Sequence, residues 1–364
     1  MVRQEFLTAI KAGQEGRELS REEILLLLSS TDEEENQLLF SEADRVRQNA
    51  VGDEVHLRAI VEFSNYCVQN CLYCGLRRDN HELVRYRMSP AEIVEVAIKA
   101  RTQGFQTVVL QSGEDSWFTG DRLAGVIQKI KEQADLAITL SVGERTYADY
   151  WAWKKAGADR YLLKYETTSP ALFKNLRPER DLADRLKALG SLQELGYEVG
   201  SGNMVGLPGQ TNEDLAADIQ LFCKMDFDMI GISPFIAHPQ TPLARVVNGE
   251  LGKVLKVLAI TRIVTKDTNL PATTATGIVQ DKGRQEALLS GANVIMLNMT
   301  PSAYRKHYQI YPGKERSPLE MQAIPEMLFS LRRKIGLGKG QRIHSRPAEK
   351  PESLPPANFS LLSI

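Results

Sequence analysis

Residues 56–80 read HLRAIVEFSNYCVQNCLYCGLRRDN. The first nine, HLRAIVEFS, have the β-branched and aromatic composition of a strand. The loop after them carries three of the chain's four cysteines, Cys67, Cys71 and Cys74, spaced C-x3-C-x2-C with no histidine among them. A fourth thiolate would close the shell of a structural zinc. Three thiolates instead hold a cubane iron–sulfur cluster by three irons and leave the fourth open to an outside ligand. The competing reading is a zinc completed by a remote histidine, or three inert thiols. Tyr73, directly before the last cysteine of the pattern, favours the cluster.

Outward from this stretch, strands alternate with helices. Further strands are predicted at TVVLQSG (107–113), AITLSVG (137–143), RYLLKYE (160–166), EVGSGNMVG (198–206), MIGISPFI (229–236), PATTATG (271–277) and VIMLNMT (294–300). Eight strands with helices between them predict an α/β fold with a parallel sheet, and eight is the number that closes a complete (β/α)8 TIM-type barrel. The active site of such a barrel lies at the C-terminal ends of its strands, where the cysteine loop falls. Residues 1–52 read as an N-terminal helical extension, with Ser20 as N-cap and Glu23 as its capping-box partner. Residues 53–340 form the barrel; Ser89-Pro90 open its first helix, and LEMQAIPEMLFSLRRKIG (319–336) is its last, kinked at Pro325. The Pro/Ser/Glu-rich residues 341–364 read as a disordered tail.

The 364 residues are 43% hydrophobic and 25% charged, with a net charge of −1, as in a soluble enzyme. No basic field argues for nucleic acid or an anionic membrane surface. The first residues lack a signal-peptide core, and no apolar run is long enough to span a bilayer. Clustered thiols and no disulfide framework point to the reducing cytoplasm. Cys223 reads as a buried helix residue, and Trp151 and Trp153 as cover for the outer ring.

One further signal stands on periodicity alone. Along 160–166, Arg160, Leu162, Lys164 and Glu166 share one strand face. If it faces the lumen, three charges occupy a packed core, where they must pair with each other or with a ligand.

The cysteine loop resembles the signature of the radical S-adenosylmethionine (SAM) superfamily. Together with LQSGED, GADRYLL, MVGLPGQT, GANVIM and YPGK, it resembles the HydE type of FeFe-hydrogenase maturases over residues 20–315, with biotin synthase and methylornithine synthase as more distant relatives. The resemblance implies one 4Fe–4S cluster on Cys67, Cys71 and Cys74, whose open iron takes SAM and cleaves it to a 5′-deoxyadenosyl radical. It implies SAM contacts from Tyr73, Ser112, Gly113, Glu114, Glu166, Arg185, Met204 and Ile236. The implied substrate is a small anionic or organometallic iron complex with carbonyl, cyanide and cysteine ligands. Arg160 and Lys164 become its candidate anchors. Thr273, Thr274, Met296, Tyr308 and Tyr311 are further substrate candidates, with Asn298 of the same grade. The implied partners are a hydrogenase-maturation scaffold and an external electron donor.

Two departures from the family matter. No cysteine follows Cys223, so a second cluster and sulfur insertion are not expected. Lys164-Tyr165 stands where the family pattern has Arg-His, which keeps the charge and loses the bidentate fork. The alternative function is a radical mutase or lyase on an amino-acid-like substrate.

Overall fold

The computed structural model describes residues 1–313 and 319–343. Its elements run α1 (Gln4–Gln14), α2 (Arg21–Ser29), α3 (Glu33–Val51), β1 (Glu54–Ser64), α4 (Pro90–Thr102), β2 (Thr107–Ser112), α5 (Gly120–Gln133), β3 (Ala137–Ser141), α6 (Tyr147–Ala156), β4 (Arg160–Leu162), α7 (Pro170–Leu176) and α8 (Leu182–Glu194). There follow β5 (Glu198–Ser201), β6 (Met204–Val205), α9 (Asn212–Met225), β7 (Met229–Ile230), β8 (Ser233–Pro234), α10 (Leu251–Thr265), α11 (Thr274–Val279), α12 (Gly283–Leu289), β9 (Val294–Asn298), α13 (Ser302–Arg305), α14 (Ile324–Ser330) and β10 (Lys334–Ile335).

Seven parallel strands form one curled sheet in the order β9-β1-β2-β3-β4-β5-β7. β1 lies between β2 and β9, with Ala59 opposite both Val108 and Leu297. Its core positions Val55, Ala59, Val61 and Phe63 are fully buried. A parallel sheet covered by helices buries both faces, which explains these nearly continuous apolar runs. β10 joins the lower part of β1, and β6 pairs with β8 in a separate two-stranded piece.

The seventh predicted strand is corrected. Residues 269–271 make one parallel bridge to each neighbour, Met229 with Asn269 and Pro271 with Val294, and from Thr274 the chain is helical. Pro271 has no N–H to extend a ladder. The threonines that read as strand formers serve a turn instead, where Thr276 Oγ1 donates to the Thr273 carbonyl at 2.7 Å. The fourth strand ends at Leu162, four residues early.

Caps set the helix starts as expected. Ser20 and Ser89 each form a reciprocal capping box, with Glu23 and Glu92. α1–α3 pack against α9 and α10. Glu35 on α3 ties down the chain start: Oε1 accepts from Arg3 N at 3.0 Å and Nε at 2.8 Å, and Oε2 from Arg3 Nη2 at 2.7 Å. The single last helix is corrected to a short 3-10 turn (Met321–Ala323), α14 and β10; Pro325 starts α14 rather than kinking it. Cys223 is half-buried rather than buried.

Residues 334–342 form a strap across the lower end of the sheet. The Lys339 carbonyl accepts from Thr107 Oγ1 at 2.8 Å, and the Gly340 carbonyl from Arg58 Nη2 at 3.0 Å and Asn269 Nδ2 at 3.2 Å. Arg342 pairs with Asp226 at 2.6 Å and Asp267 at 2.8 Å. The expected tail therefore does not begin at 341; its part from 344 lies outside the described residues. Among the described residues no helix is long and apolar enough to cross a membrane.

Candidate active site

The cysteine loop leaves the upper end of β1 and is fixed by polar side chains that bond its backbone. Arg85 Nη1 donates to the Asn65 and Leu76 carbonyls at 2.6 and 3.0 Å, and Nη2 to those of Arg77 and Asn80 at 2.7 and 3.2 Å. Leu72 N donates to the Leu176 carbonyl at 2.9 Å, which fastens the loop to the end of α7. Cys67 Sγ accepts from the backbone N–H groups of Gln69 and Glu114, both at 3.4 Å. Among the described residues no three His, Cys, Asp or Glu side chains converge as ligands of a single ion. A cubane makes a different demand, since each thiolate takes a different iron.

Burial, then the neighbouring Glu114, push the Cys67 thiol up to about 11. Burial also raises Cys71, against the pull of Arg177 and Arg185, and raises Cys74 together with Cys71 and Cys67. The three thiols thus sense one another in a partly dry pocket. Burial disfavours their thiolate forms, a bound metal centre would take over the protons' role, and this donor set suits a cubane.

Gly113 explains the turn after β2. Its N–H donates to the Ser64 carbonyl at 3.1 Å, and a Cβ there would meet the Tyr66 carbonyl oxygen at 2.2 Å and Cys67 Cβ at 2.8 Å. Only glycine lets this backbone press against the loop. Ser112 turns its Oγ to the Gly113 carbonyl at 2.6 Å. Glu114 is buried, accepts from Gln69 Nε2, and takes the Glu144 N–H on Oε1 at 3.1 Å.

Around Glu114 the structure gathers charges that the sequence did not single out. Arg177 and Arg180 each lie 3.7 Å from its carboxylate. Glu144, in the loop after β3, bonds Arg185 Nε and lies 3.8 Å from Arg180. Burial opposes a charged Glu144, yet Arg185, Arg177 and Arg180 hold it below the usual carboxylate range. Arg177 Nε is buried without a hydrogen-bond partner among the described residues. Glu144 comes from the loop after β3, Arg177 and Arg180 from the turn RPER between α7 and α8, and Arg185 from α8.

After β4, the side-chain alternation continues beyond the strand. Tyr161, Leu163 and Tyr165 are buried in the core, while Lys164 and Glu166 turn the other way. Lys164 Nζ donates to Ser233 Oγ at 2.9 Å and lies 3.2 Å from Glu166 Oε2, which accepts no hydrogen bond among the described residues. Glu166 has φ of 73°, its N–H donates to the Gly202 carbonyl at 3.1 Å, and its carbonyl accepts from Met204 N at 2.9 Å. Arg185 Nη1 donates to the Lys164 carbonyl at 2.6 Å. Tyr73 packs against the apolar cluster of Leu176, Met204, Leu207 and Phe235, and the buried Ile236 follows in chain. The expected SAM contacts thus gather around the cysteine loop on one end of the sheet.

A separate cavity of about 900 Å³ has none of these expected contacts in its lining. Its lining brings together Lys164, Thr273, Thr274, Met296, Tyr308 and Tyr311, with Asn298. Thr273 Oγ1 is buried there without a hydrogen-bond partner among the described residues. Sequence reasoning missed Glu62, Gln111 and Arg284 in the same lining. Glu62 had left a signal, as the one carboxylate within an otherwise apolar stretch, and it accepts from Asn298 Nδ2 at 2.7 Å. Arg160 is not in this lining. It opens β4 at the lower end, pairs with Glu198 at 2.7 Å and donates to Thr107 Oγ1 at 3.1 Å, an ion pair within the fold. His238 is buried in the loop after β8, with Nδ1 accepting from Gln240 N at 3.1 Å.

Comparison with known proteins follows the same lines. The family model described as the radical SAM superfamily matches residues 61–222. The chain is 51% identical over 332 residues to the FeFe hydrogenase maturase subunit HydE of Thermotoga maritima, covering 90% of this chain and 95% of that protein. It is 29% identical over 283 residues to the 3-methylornithine synthase of Methanosarcina acetivorans, covering 77% and 80%. Among solved structures, methylornithine synthase (PylB) superposes with a TM-score of 0.83 at 25% identity, covering 90% of this chain and 97% of that one. HydG, a maturase of the FeFe-hydrogenase, shares the fold with a TM-score of 0.80 at 20% identity, covering 93% and 77%.

Proposed function

Because the chain belongs to the HydE type of FeFe-hydrogenase maturases within the radical SAM superfamily, we propose that it acts on a cysteine-ligated iron complex with carbonyl and cyanide ligands during assembly of the hydrogenase di-iron subcluster. Members of the superfamily use a 4Fe–4S cluster and SAM. Cys67, Cys71 and Cys74 would hold the one cluster, which when bound and reduced supplies the electron that cleaves SAM to methionine and a 5′-deoxyadenosyl radical. The other tasks fall to the chain. Glu114 and the Ser112–Gly113 turn receive the SAM amino group. Arg185 offers the SAM carboxylate a guanidinium fork. Glu166, Met204 and Ile236 take the nucleoside, and the Tyr73 cluster keeps water from that end.

The observation that carries the reading is the cavity of about 900 Å³ with the Lys164 cation, Thr273 and Thr274 in its wall, Lys164 lying 3.2 Å from Glu166 of the expected SAM contacts. A substrate held in this cavity would be positioned for attack by the radical. Tyr308 and Tyr311 shape the pocket beside Met296. We further read the single bridges of Asn269 and Pro271 as the eighth stave that closes the barrel. A cytoplasmic site of action, an external electron donor and a maturation scaffold as recipient complete the proposal.

A second reading keeps the radical and changes the substrate. Lys164 is a point charge that serves an amino-acid carboxylate as readily as a metal complex, and 3-methylornithine synthase is among the relatives. The test is hydrogen evolution in a cell-free maturation mix lacking only its HydE-type component, with and without SAM, using anaerobically reconstituted protein. SAM-dependent activity is expected. No hydrogenase activity, with 5′-deoxyadenosine still formed, overturns the iron-complex substrate in favour of the amino acid.

A further inference from the structure

Glu166 is held in the left-handed region from outside its own segment. A glutamate at φ of 73° sits in a conformation costing roughly 1–2 kcal/mol, so something must hold it. Tyr165 and Thr168 flank it in chain, and Asn203 faces it across an isolated parallel bridge. All three converge on Asp218, in the middle of α9 and fully buried. Asp218 Oδ1 accepts from Thr168 N at 2.7 Å and Thr168 Oγ1 at 2.8 Å. Its Oδ2 accepts from Asn203 Nδ2 at 2.7 Å, and its backbone carbonyl from Tyr165 Oη at 3.0 Å. One side chain thus ties the turn after β4 to the loop after β5, with a backbone bond from the same residue alongside. Burial opposes its charge and pushes the carboxyl up to about 7, against the bonds from Asn203 and Thr168. A carboxylate is a costly way to fill an apolar position.

We propose that Asp218 is a positioning residue for SAM: through Thr168 and Asn203 it sets the angle of the Glu166 carboxylate and the register of the Met204 backbone. Asp218 touches neither SAM nor substrate. The inference rests on the reading that Glu166 and Met204 line the SAM site.

The test uses the full chain, reconstituted anaerobically, as wild type, Asp218→Ala, Asp218→Asn, Asn203→Ala and Glu166→Gln. For each, iron and sulfide content, thermal midpoint, SAM dissociation constant, the change that SAM induces in the EPR spectrum of the reduced cluster, and KM and kcat for 5′-deoxyadenosine formation are measured. Asp218→Ala and Asn203→Ala are expected to weaken SAM binding and raise its KM by about tenfold, the worth of one hydrogen bond to a charged group, with iron content unchanged. Asp218→Asn is expected to recover most of the loss, because Asn203 can rotate its amide and present Oδ1, which is buried without a partner among the described residues. Should Asp218→Ala fail to fold, Asn203→Ala still cuts one arm of the clamp. Folded, iron-replete Asp218→Ala or Asn203→Ala protein that binds SAM as wild type does, while Glu166→Gln does not, overturns the clamp and leaves the site reading standing. Wild-type SAM binding by Glu166→Gln overturns the site reading itself.

Discussion

Gly113 sits where the turn after β2 meets the cysteine loop, and a methyl group there has nowhere to go. Gly113→Ala is expected to cost about 1–3 kcal/mol as an overpacking change and to lower the iron bound after reconstitution, read by thermal unfolding and iron analysis. Cys71→Ala should leave the fold in place and remove the brown colour; a full redox-active cluster in that variant would refute the ligand assignment. At this scale, legibility followed sequence distance. Three thiols within one loop announce themselves. Lys164 and Glu166 were legible too, because side-chain alternation outlasts the strand's hydrogen bonds. Glu144, Arg177 and Arg180 were not, since the loop after β3 and the turn after α7 are far apart in sequence and the fold alone brings them together around Glu114. Arg160 shows the reverse failure: a shared strand face says nothing about how far along the sheet a residue sits, and this one lies at the opposite end from Lys164.

Helix starts were read from their caps, because a capping box is a local bargain between residues three apart. Ser89→Ala is expected to cost about 1 kcal/mol, checked by denaturant unfolding. The segment 271–277 was misread because β-branched threonines signal a strand only where neighbours offer a ladder; after Pro271 they meet a helix start. The link between Arg3 and α3 yields a pH prediction. Bonding to Arg3 lowers Glu35 from its ordinary 4.5 to about 2. A carboxyl depressed in the folded state contributes stability above its unfolded pKa and loses it as pH falls through the folded one. Stability should therefore decline between about pH 4.5 and pH 2, and Glu35→Gln should be less stable at neutral pH with a flatter acid limb. Unfolding midpoints across that range decide it.

The molecule as a whole stacks two different ends on one sheet. The alternation of strands and helices was legible throughout; the strap was not, because residues 334–336 read as the end of the last helix and 341–342 as the start of the tail, and the contacts that tie them down are with residues far away in sequence. The lower end holds Arg58, fully buried, its Nε unpartnered among the described residues, with burial and the nearby Arg160 lowering it to about 9. Burying an unpaired charge works against folding. Arg58→Met is expected to be as stable as wild type or more so, an unusual outcome for a core position, and a markedly lower thermal midpoint would refute the account.

Arg58 and the Gly340 carbonyl that receives it stand 282 positions apart. During synthesis the first of them leaves the ribosome long before the second exists. A nascent chain can therefore pair β1 with its early neighbours while its underside is still open to water, and release from the ribosome completes the seal. A product cut short by premature termination near residue 333 would carry its three thiols and an unfinished base together. Quality control would have that exposed base to recognise before any iron was committed to the chain.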